Sequence, residues 1–409
     1  MADIGGDELE AFRAQARAWL QDNFPAALRA DPAAQLAAMM GERPSADAEA
    51  WRGAMGEKGW GTPTWPSAYG GGGLSRPQAR VLNEEMAAIG ARNPIGGMGV
   101  MMLGPTLLEY GTETQKQRHI PSIVRGNIRW CQGYSEPGAG SDLASLQTRC
   151  EDKGPDGWLI NGQKIWTSGA NLADWCFCLV RTDTTKKHEG ISFILIDMRS
   201  PGVEARPILL INGGSPFCET FFTDVRVPKE NLVGRLNGGW TIAKRLLQFE
   251  RENISASLGG GNPALGQTAS VDALARSYIG LNSNGALADA DARSRLVAHQ
   301  IDARAFQLTT RRAASEAKSN QGPSAATSIM KYAGAKIAQD RTESAIESLG
   351  AQGLGWEGAG FEAAELTATR AWLRSKGNSI EGGTSEINLN VVSKRVLGLP
   401  DSHSPAGKA

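Results

Sequence analysis

A chain of 409 residues is longer than one hydrophobic core supports, so two or three domains are expected. Its 43 Lys and Arg balance 43 Asp and Glu, which leaves no cationic excess for a nucleic-acid backbone or an anionic membrane surface. His119, His188, His299 and His403 stand singly and no apolar run approaches ~18 residues, so neither a metal centre nor a membrane span is expected.

The opening MADIGGDELEAF is acidic and has no apolar leader core. Between Asp7 and Leu20, the residues Leu9, Phe12, Ala16, Trp19 and Leu20 recur at helical spacing, with acids in the first turn. Four glycines, Gly70 to Gly73, make an irregular loop. No P-loop Lys-Ser/Thr follows, so a structural turn is favoured over a phosphate cradle. Residues 76–125 return to helical composition, with a helix start at Thr112–Glu113.

From Asn127 the pattern changes to short β-branched and aromatic runs, with a reverse turn at Pro155–Gly157 and closure at Pro228. Strands at this spacing make a sandwich or barrel. Cys131, Cys150, Cys176, Cys178 and Cys218 all fall in this third. Their odd count without CxxC spacing reads as reduced core thiols of a cytoplasmic protein. The chain is helical again from Trp240 to about Leu399. The expected division is thus 1–128 helical, 129–238 β and 239–399 helical, with residues 400–409 a hydrophilic, disordered tail.

Three stretches carry chemistry. WCQGYSEPGAGSD (Trp130–Asp142) is polar and Gly-rich between extended segments, so its N–H groups and the Ser135 and Ser141 hydroxyls need partners. GQKIWTSG (Gly162–Gly169) sets the flat ring of Trp166 beside Thr167 and Ser168, which suits one face of an aromatic cofactor. Taken singly, each also reads as a turn of an all-β module. In WTIAKRLLQFERENISASL (Trp240–Leu258), Glu250 falls on the apolar stripe of Ile242, Ala243, Leu246, Leu247, Ile254 and Leu258. A carboxylate there is either a buried general base or half of an interhelical ion pair.

Together the first two stretches resemble the flavin-binding segments of the acyl-CoA dehydrogenase family, and the α–β–α order extends the resemblance over nearly the whole chain. The fold it implies is α+β and multidomain: an N-terminal helical domain, a middle antiparallel β-barrel or sandwich, and a C-terminal four-helix bundle. FAD is the implied cofactor. Tyr134, Ser135, Gly140 and Ser141 fall where the family contacts the isoalloxazine edge and pyrophosphate, and Trp166 and Ser168 where it covers a flavin face near N5. Arg276 in RSYIG is similar to the Arg of the family's RxxFG, with Ile279 for Phe, which in relatives reaches the FAD of a neighbouring subunit. ESLGAQG (Glu347–Gly353) is similar to QILGGNG, with Glu347 for Gln. Thr384 and Glu386 match a cofactor-contacting Thr and Gln.

The resemblance also bears on the base. In the branch with the isovaleryl-CoA and long-chain enzymes it is the Glu of an ER pair, matched by Glu250–Arg251. In the larger branch it is the Glu of YEGT, where SIEGGTSEIN here places Gly382, with Glu381 one residue before. Glu250 is therefore the preferred base and Glu381 the alternative. The Gly382 N–H is implied as a thioester-oxygen donor, and Ser141, Arg251 and Gly383 as substrate-binding positions.

The reaction implied is α,β-dehydrogenation of an acyl-CoA, electrons passing to an electron-transfer flavoprotein, by a homotetramer or homodimer. Gly382, Gly383 and Gly259–Gly261 remove side-chain volume, which suits a bulky branched, cyclic or steroid-side-chain acyl group; they also serve backbone turns. Two alternatives stay open: an oxidase or flavin monooxygenase on the same scaffold, and one subunit of a heteromeric dehydrogenase.

Overall fold

The computed structural model describes residues 6–31, 34–35, 44–247, 270–318 and 327–400; the tail expected to be disordered lies outside them from residue 401. The chain divides into two compact units, one of Met1–Ile208 with Pro216–Arg251 and one of Leu209–Ser215 with Glu252–Ala409.

The first unit opens on α1 (Gly6–Asn23), which buries Phe12, Ala16 and Leu20 at i, i+4, i+8. They share a core with Trp51 and Met55 of α3 (Ala46–Glu57) and Val81, Leu82 and Met86 of α4 (Arg76–Ala88); α2 (Ala26–Ala30) adds Leu28. At the edge of this core the buried Glu85 carboxylate accepts from Arg17 Nε at 2.8 Å and Arg13 Nη1 at 2.9 Å, which ties α1 to α4. Gly70 and Gly73 take φ of +90° and +61°, and a Cβ on Gly71 would lie 2.5 Å from the Trp65 carbonyl. The four-glycine run is thus a packed turn. Two further helices follow, α5 (Gly104–Tyr110) and α6 (Glu113–Val124), the latter capped reciprocally by Thr112 and Gln115 as its sequence predicts.

Eight strands come next: β1 (Trp130–Gly133), β2 (Arg149–Asp152), β3 (Trp158–Ser168), β4 (Trp175–Arg181), β5 (Ile191–Asp197), β6 (Val203–Ile208), β7 (Phe217–Val227) and β8 (Leu232–Val233). They form one sheet in the order β6-β7-β3-β2-β4-β5-β8, with β1 also on β4. Most pairs are antiparallel, as expected. β1 runs parallel to β4 (Trp130↔Trp175), because the chain makes the β2–β3 excursion before returning beside it, and the single β2–β4 contact is also parallel.

The run WCFCLV of β4 is apolar throughout because both its faces are buried. Trp175, Phe177 and Leu179 join a core with Leu103, Leu107, Ile120 and Ile123 from α5, α6 and the residue before α5, while Cys176, Cys178 and Val180 join another with Trp158, Ile160 and Phe222. The helical and β segments therefore share a core. Helix α7 (239–247) buries Ile242, Ala243 and Leu246 in the first of these cores, as the apolar stripe predicts. All five cysteines are free and buried.

The second unit contains α8 (Val271–Tyr278), α9 (Ala290–Lys318), α10 (Thr327–Leu349), α11 (Ala363–Ser375) and α12 (Ser385–Val391). Leu274, Ala345, Leu349 and Ala368 join α8, α10 and α11, and Ala275, Ala292 and Leu296 join α8 to α9. Buried Glu365 accepts from the Tyr278 hydroxyl at 2.6 Å, and that bond raises the phenol to about 12. Among the described residues no helix is long and apolar enough to cross a membrane.

The Arg17 and Arg13 guanidiniums hold Glu85 below the usual carboxylate range against the opposing effect of burial. Glu85→Gln should lower stability at pH 7 by roughly 1.5 to 3 kcal/mol, the scale of hydrogen bonds to a charged group. A carboxyl with a depressed folded-state pKa stabilises above its unfolded value and loses that contribution as pH falls through the folded one. Denaturation midpoints of the two proteins should therefore converge below about pH 4.

Candidate flavin and thioester sites

The first candidate site grows from the ends of β1 and β3. After Gly133 the chain turns tightly, Glu136 and Ala139 exchanging both backbone hydrogen bonds at 3.0 Å. This leaves Gly140 and Ser141 exposed and Ser135 half-buried, and a Cβ on Gly140 would meet nothing within 4 Å. The Tyr134 ring points the other way, into the core against Phe177 at 6.2 Å. What Tyr134 offers a ligand is therefore backbone.

Opposite lies an interruption in β3. Lys164 pairs with Thr220 and Thr167 with Cys218, so Ile165 and Trp166 together oppose Glu219. This is a β-bulge, with Trp166 in the left-handed region at φ 59°. An unbroken strand would carry Lys164 and Trp166 on one face. The bulge instead keeps Lys164 and Thr167 fully buried and leaves Trp166 53% exposed, edge-on to Phe217 at 6.0 Å. Ser168 is half-buried, whereas Thr167, whose hydroxyl sequence reasoning set beside the cofactor, turns inward.

One interaction ties the two stretches together. The buried Lys164 ammonium donates to Glu136 Oε1 at 2.8 Å and to the Tyr134 carbonyl at 3.1 Å. The Glu136 carboxylate also accepts from the Gln147 and Thr148 N–H groups at 2.5 and 2.8 Å, and Ile165 N–H donates to the Ser135 carbonyl at 2.9 Å. Burial alone would raise Glu136; Lys164 and these donors outweigh it and hold the carboxyl below its ordinary range. Sequence reasoning missed both residues. The available signal was a lysine two positions before Trp166 inside an otherwise half-apolar strand.

The second site lies in the other unit. Gly382 and Gly383 take φ of +63° and +88°, a double left-handed turn that side chains disfavour. Among the described residues the Gly382 N–H has no protein acceptor. Thr384 caps α12 by accepting from Ile387 N–H at 3.2 Å, and Glu386 is exposed in its first turn. Glu381, the alternative base, is exposed and paired with Arg374 at 2.7 Å, so its lone pairs are engaged by a guanidinium. Glu250 and Arg251 lie outside the described residues.

Ile279 and Glu347 line a cavity of about 90 Å³ with Arg295, Leu296, Ser344 and Ser348. Glu347 is paired with Arg295 Nε at 3.1 Å. The cation that offsets this acid therefore comes from α9, while Arg276 is exposed in the last turn of α8.

Family models match in three consecutive blocks: acyl-CoA dehydrogenase N-terminal domain over residues 6–127, middle domain over 131–225 and C-terminal domain over 237–397. The chain is 35% identical over 405 residues to acyl-CoA dehydrogenase IpdE1 of Mycobacterium tuberculosis, covering 96% of this chain and 98% of that one. This chain belongs to the acyl-CoA dehydrogenase family. It is also similar to the solved Tcur3481-Tcur3483 steroid ACAD, with 32% identity and a TM-score of 0.73 over 97% of this chain and 99% of that one. A third match is the ChsE4-ChsE5 complex of Mycobacterium tuberculosis, with 28% identity and a TM-score of 0.71 over 98% of this chain and 100% of that one.

As an acyl-CoA dehydrogenase the chain is an FAD-dependent oxidoreductase. The residues present fit that cofactor: an exposed indole held by its bulge, two accessible serine hydroxyls, and a loop left open at Gly140. Among the described residues no group of His, Cys, Asp or Glu is placed to hold a metal ion.

Lys164→Met should leave Glu136 buried without its cation, costing roughly 3 to 5 kcal/mol, whereas Lys164→Met with Glu136→Gln should recover part of that loss. Melting temperature and flavin retention of the two singles and the double measure the coupling. Purely additive losses would contradict the pairing.

Proposed function

We propose that this acyl-CoA dehydrogenase oxidises the C2–C3 bond of an acyl-CoA thioester to the 2-enoyl-CoA, with Glu250 as base. The proton on C2 is a weak acid unless charge developing on the thioester oxygen meets a fixed donor. The Gly382 N–H is that donor. What supports this reading most is its setting in a double-glycine left-handed turn without a protein acceptor. A backbone donor needs no side chain, so the role is compatible with glycine where the larger branch carries its base.

Glu250 takes the C2 proton; FAD held at the first site would supply the acceptor for the hydride that leaves C3. Glu381 is set aside because Arg374 holds it at the surface. Ser135, Gly140, Ser141, Trp166 and Ser168 hold the flavin, with Tyr134 contributing backbone. Arg276, Ile279, Thr384 and Glu386 contact cofactor, and Ser141, Arg251 and Gly383 contact substrate.

The acyl group is bulky, of the steroid-side-chain kind. Support comes from the paired glycines and from similarity to a structure described as a steroid ACAD. Electrons pass to an electron-transfer flavoprotein, and the five free buried thiols suit the cytoplasm. A second reading is favoured by one observation. Glu347 replaces the family's amide and is neutralised within its own unit by Arg295, as suits a face meeting a different chain, and one similar structure is the ChsE4-ChsE5 complex. On that reading the chain works as one subunit of a hetero-oligomer.

Glu250→Gln should bind FAD with unchanged stoichiometry and lose anaerobic bleaching by acyl-CoA at least about a thousandfold. Retained bleaching would move the base elsewhere. Rapid aerobic reoxidation of wild type with peroxide formation would instead indicate an oxidase, and loss of FAD on purification alone would favour the hetero-oligomer.

A further inference from the structure

The turn that carries Gly382 is held from behind by one face of α10. Gln339 Nε2 donates to the Ser375 carbonyl at 3.1 Å and the Ser379 hydroxyl at 3.2 Å, and Thr342 Oγ1 donates to Ser375 Oγ at 3.0 Å. Two turns earlier on that helix, the Lys331 ammonium donates to the Asn378 carbonyl. The lysine stem runs beneath Gly382: a Cβ built on Gly382 would lie 3.4 Å from Lys331 Cε. Among the described residues no carboxylate is within ion-pair distance of Lys331, because Glu381, the nearby acid, is taken by Arg374. Half-buried behind the glycine, the ammonium has one carbonyl partner; burial lowers its pKa and the nearby Glu381 carboxylate, already paired with Arg374, offsets this only in part.

We propose that Lys331 is a positioning residue for the thioester oxygen: it fixes the 377–383 turn so that the Gly382 N–H faces outward, and it places a positive charge behind that N–H. This rests on the reading of Gly382 given above. The N–H supplies the contact, and the cation behind it favours the state in which the oxygen carries more negative charge. A group that acts only as charge develops changes kcat more than KM.

The test uses FAD-loaded full-length protein and whichever of a panel of linear, branched and ring-bearing acyl-CoAs bleaches wild type fastest. Lys331→Met keeps the stem without the charge, Lys331→Arg keeps the charge, and Gln339→Ala loosens the same turn without touching the charge. Lys331→Met should lower kcat about tenfold or more, somewhat less than removal of a direct oxyanion donor, with KM within about threefold and FAD content unchanged. Lys331→Arg should restore most of that rate, and Gln339→Ala should fall between.

A wild-type rate in Lys331→Met would overturn the proposal. So would equal slowing in Lys331→Met and Lys331→Arg accompanied by a lower melting temperature, the mark of a structural role. Wild type that no acyl-CoA bleaches would overturn the underlying reading of function instead, whatever the variants do.

Discussion

An ammonium group buried in a β-structure has to be paired, and in this chain that requirement organises the loops of the candidate flavin site. Lys164 is fully buried, so its charge is tolerable only against Glu136 and the Tyr134 carbonyl. Glu136 in turn belongs to the tight turn that ends in Gly140 and Ser141, and its second oxygen binds the backbone at Gln147. Lys164 also stands at the edge of the bulge that turns Trp166 outward. A single pair thus fixes the loop on one strand and the ring on another, and the left-handed backbone of Trp166 is held by structure that surrounds it.

The second unit uses the same logic with weaker parts. A double-glycine turn is easily deformed, yet here one face of α10 grips the chain before it and Thr384 caps the helix after it. The result is a turn whose conformation is set by its neighbours, with no protein acceptor for the Gly382 N–H among the described residues. Glu381 illustrates the complement: placed next to this turn, it is neutralised by Arg374. Glu347 is neutralised in the same manner by Arg295, so an acid at an amide position carries no uncompensated charge.

Much of this was legible in the residues. The amphipathic stripe of α1, the Thr112 cap, the continuous apolar run of β4 and the inward face of α7 all follow from periodicity and local hydrogen-bonding chemistry. Ser135, Ser141 and Trp166 could be singled out because polar or flat residues in Gly-rich segments have no use in a core. The pairings could not be read. Glu136 and Lys164 lie 28 positions apart and meet only through the β1 turn and the bulge. Nothing in IWTS announces that an extra residue will reverse the alternation, so the inward Thr167 cannot be told in sequence from the half-buried Ser168 beside it. The same holds for Arg295 with Glu347, 52 positions apart on different helices. Long-range charge pairing is a property of topology, whereas periodicity reports only on neighbours.

The central claim is that the protein's own buried ion pair builds the flavin cradle before FAD arrives. Amide hydrogen exchange on FAD-free protein tests it at three backbone donors: Ile165 bound to Ser135, and Gln147 and Thr148 bound to Glu136. The account predicts that all three exchange at least about a hundredfold more slowly than unstructured amides, with little further slowing when FAD is added. Exchange at unstructured rates until FAD is supplied would show that the cofactor orders the loops, and would contradict the account.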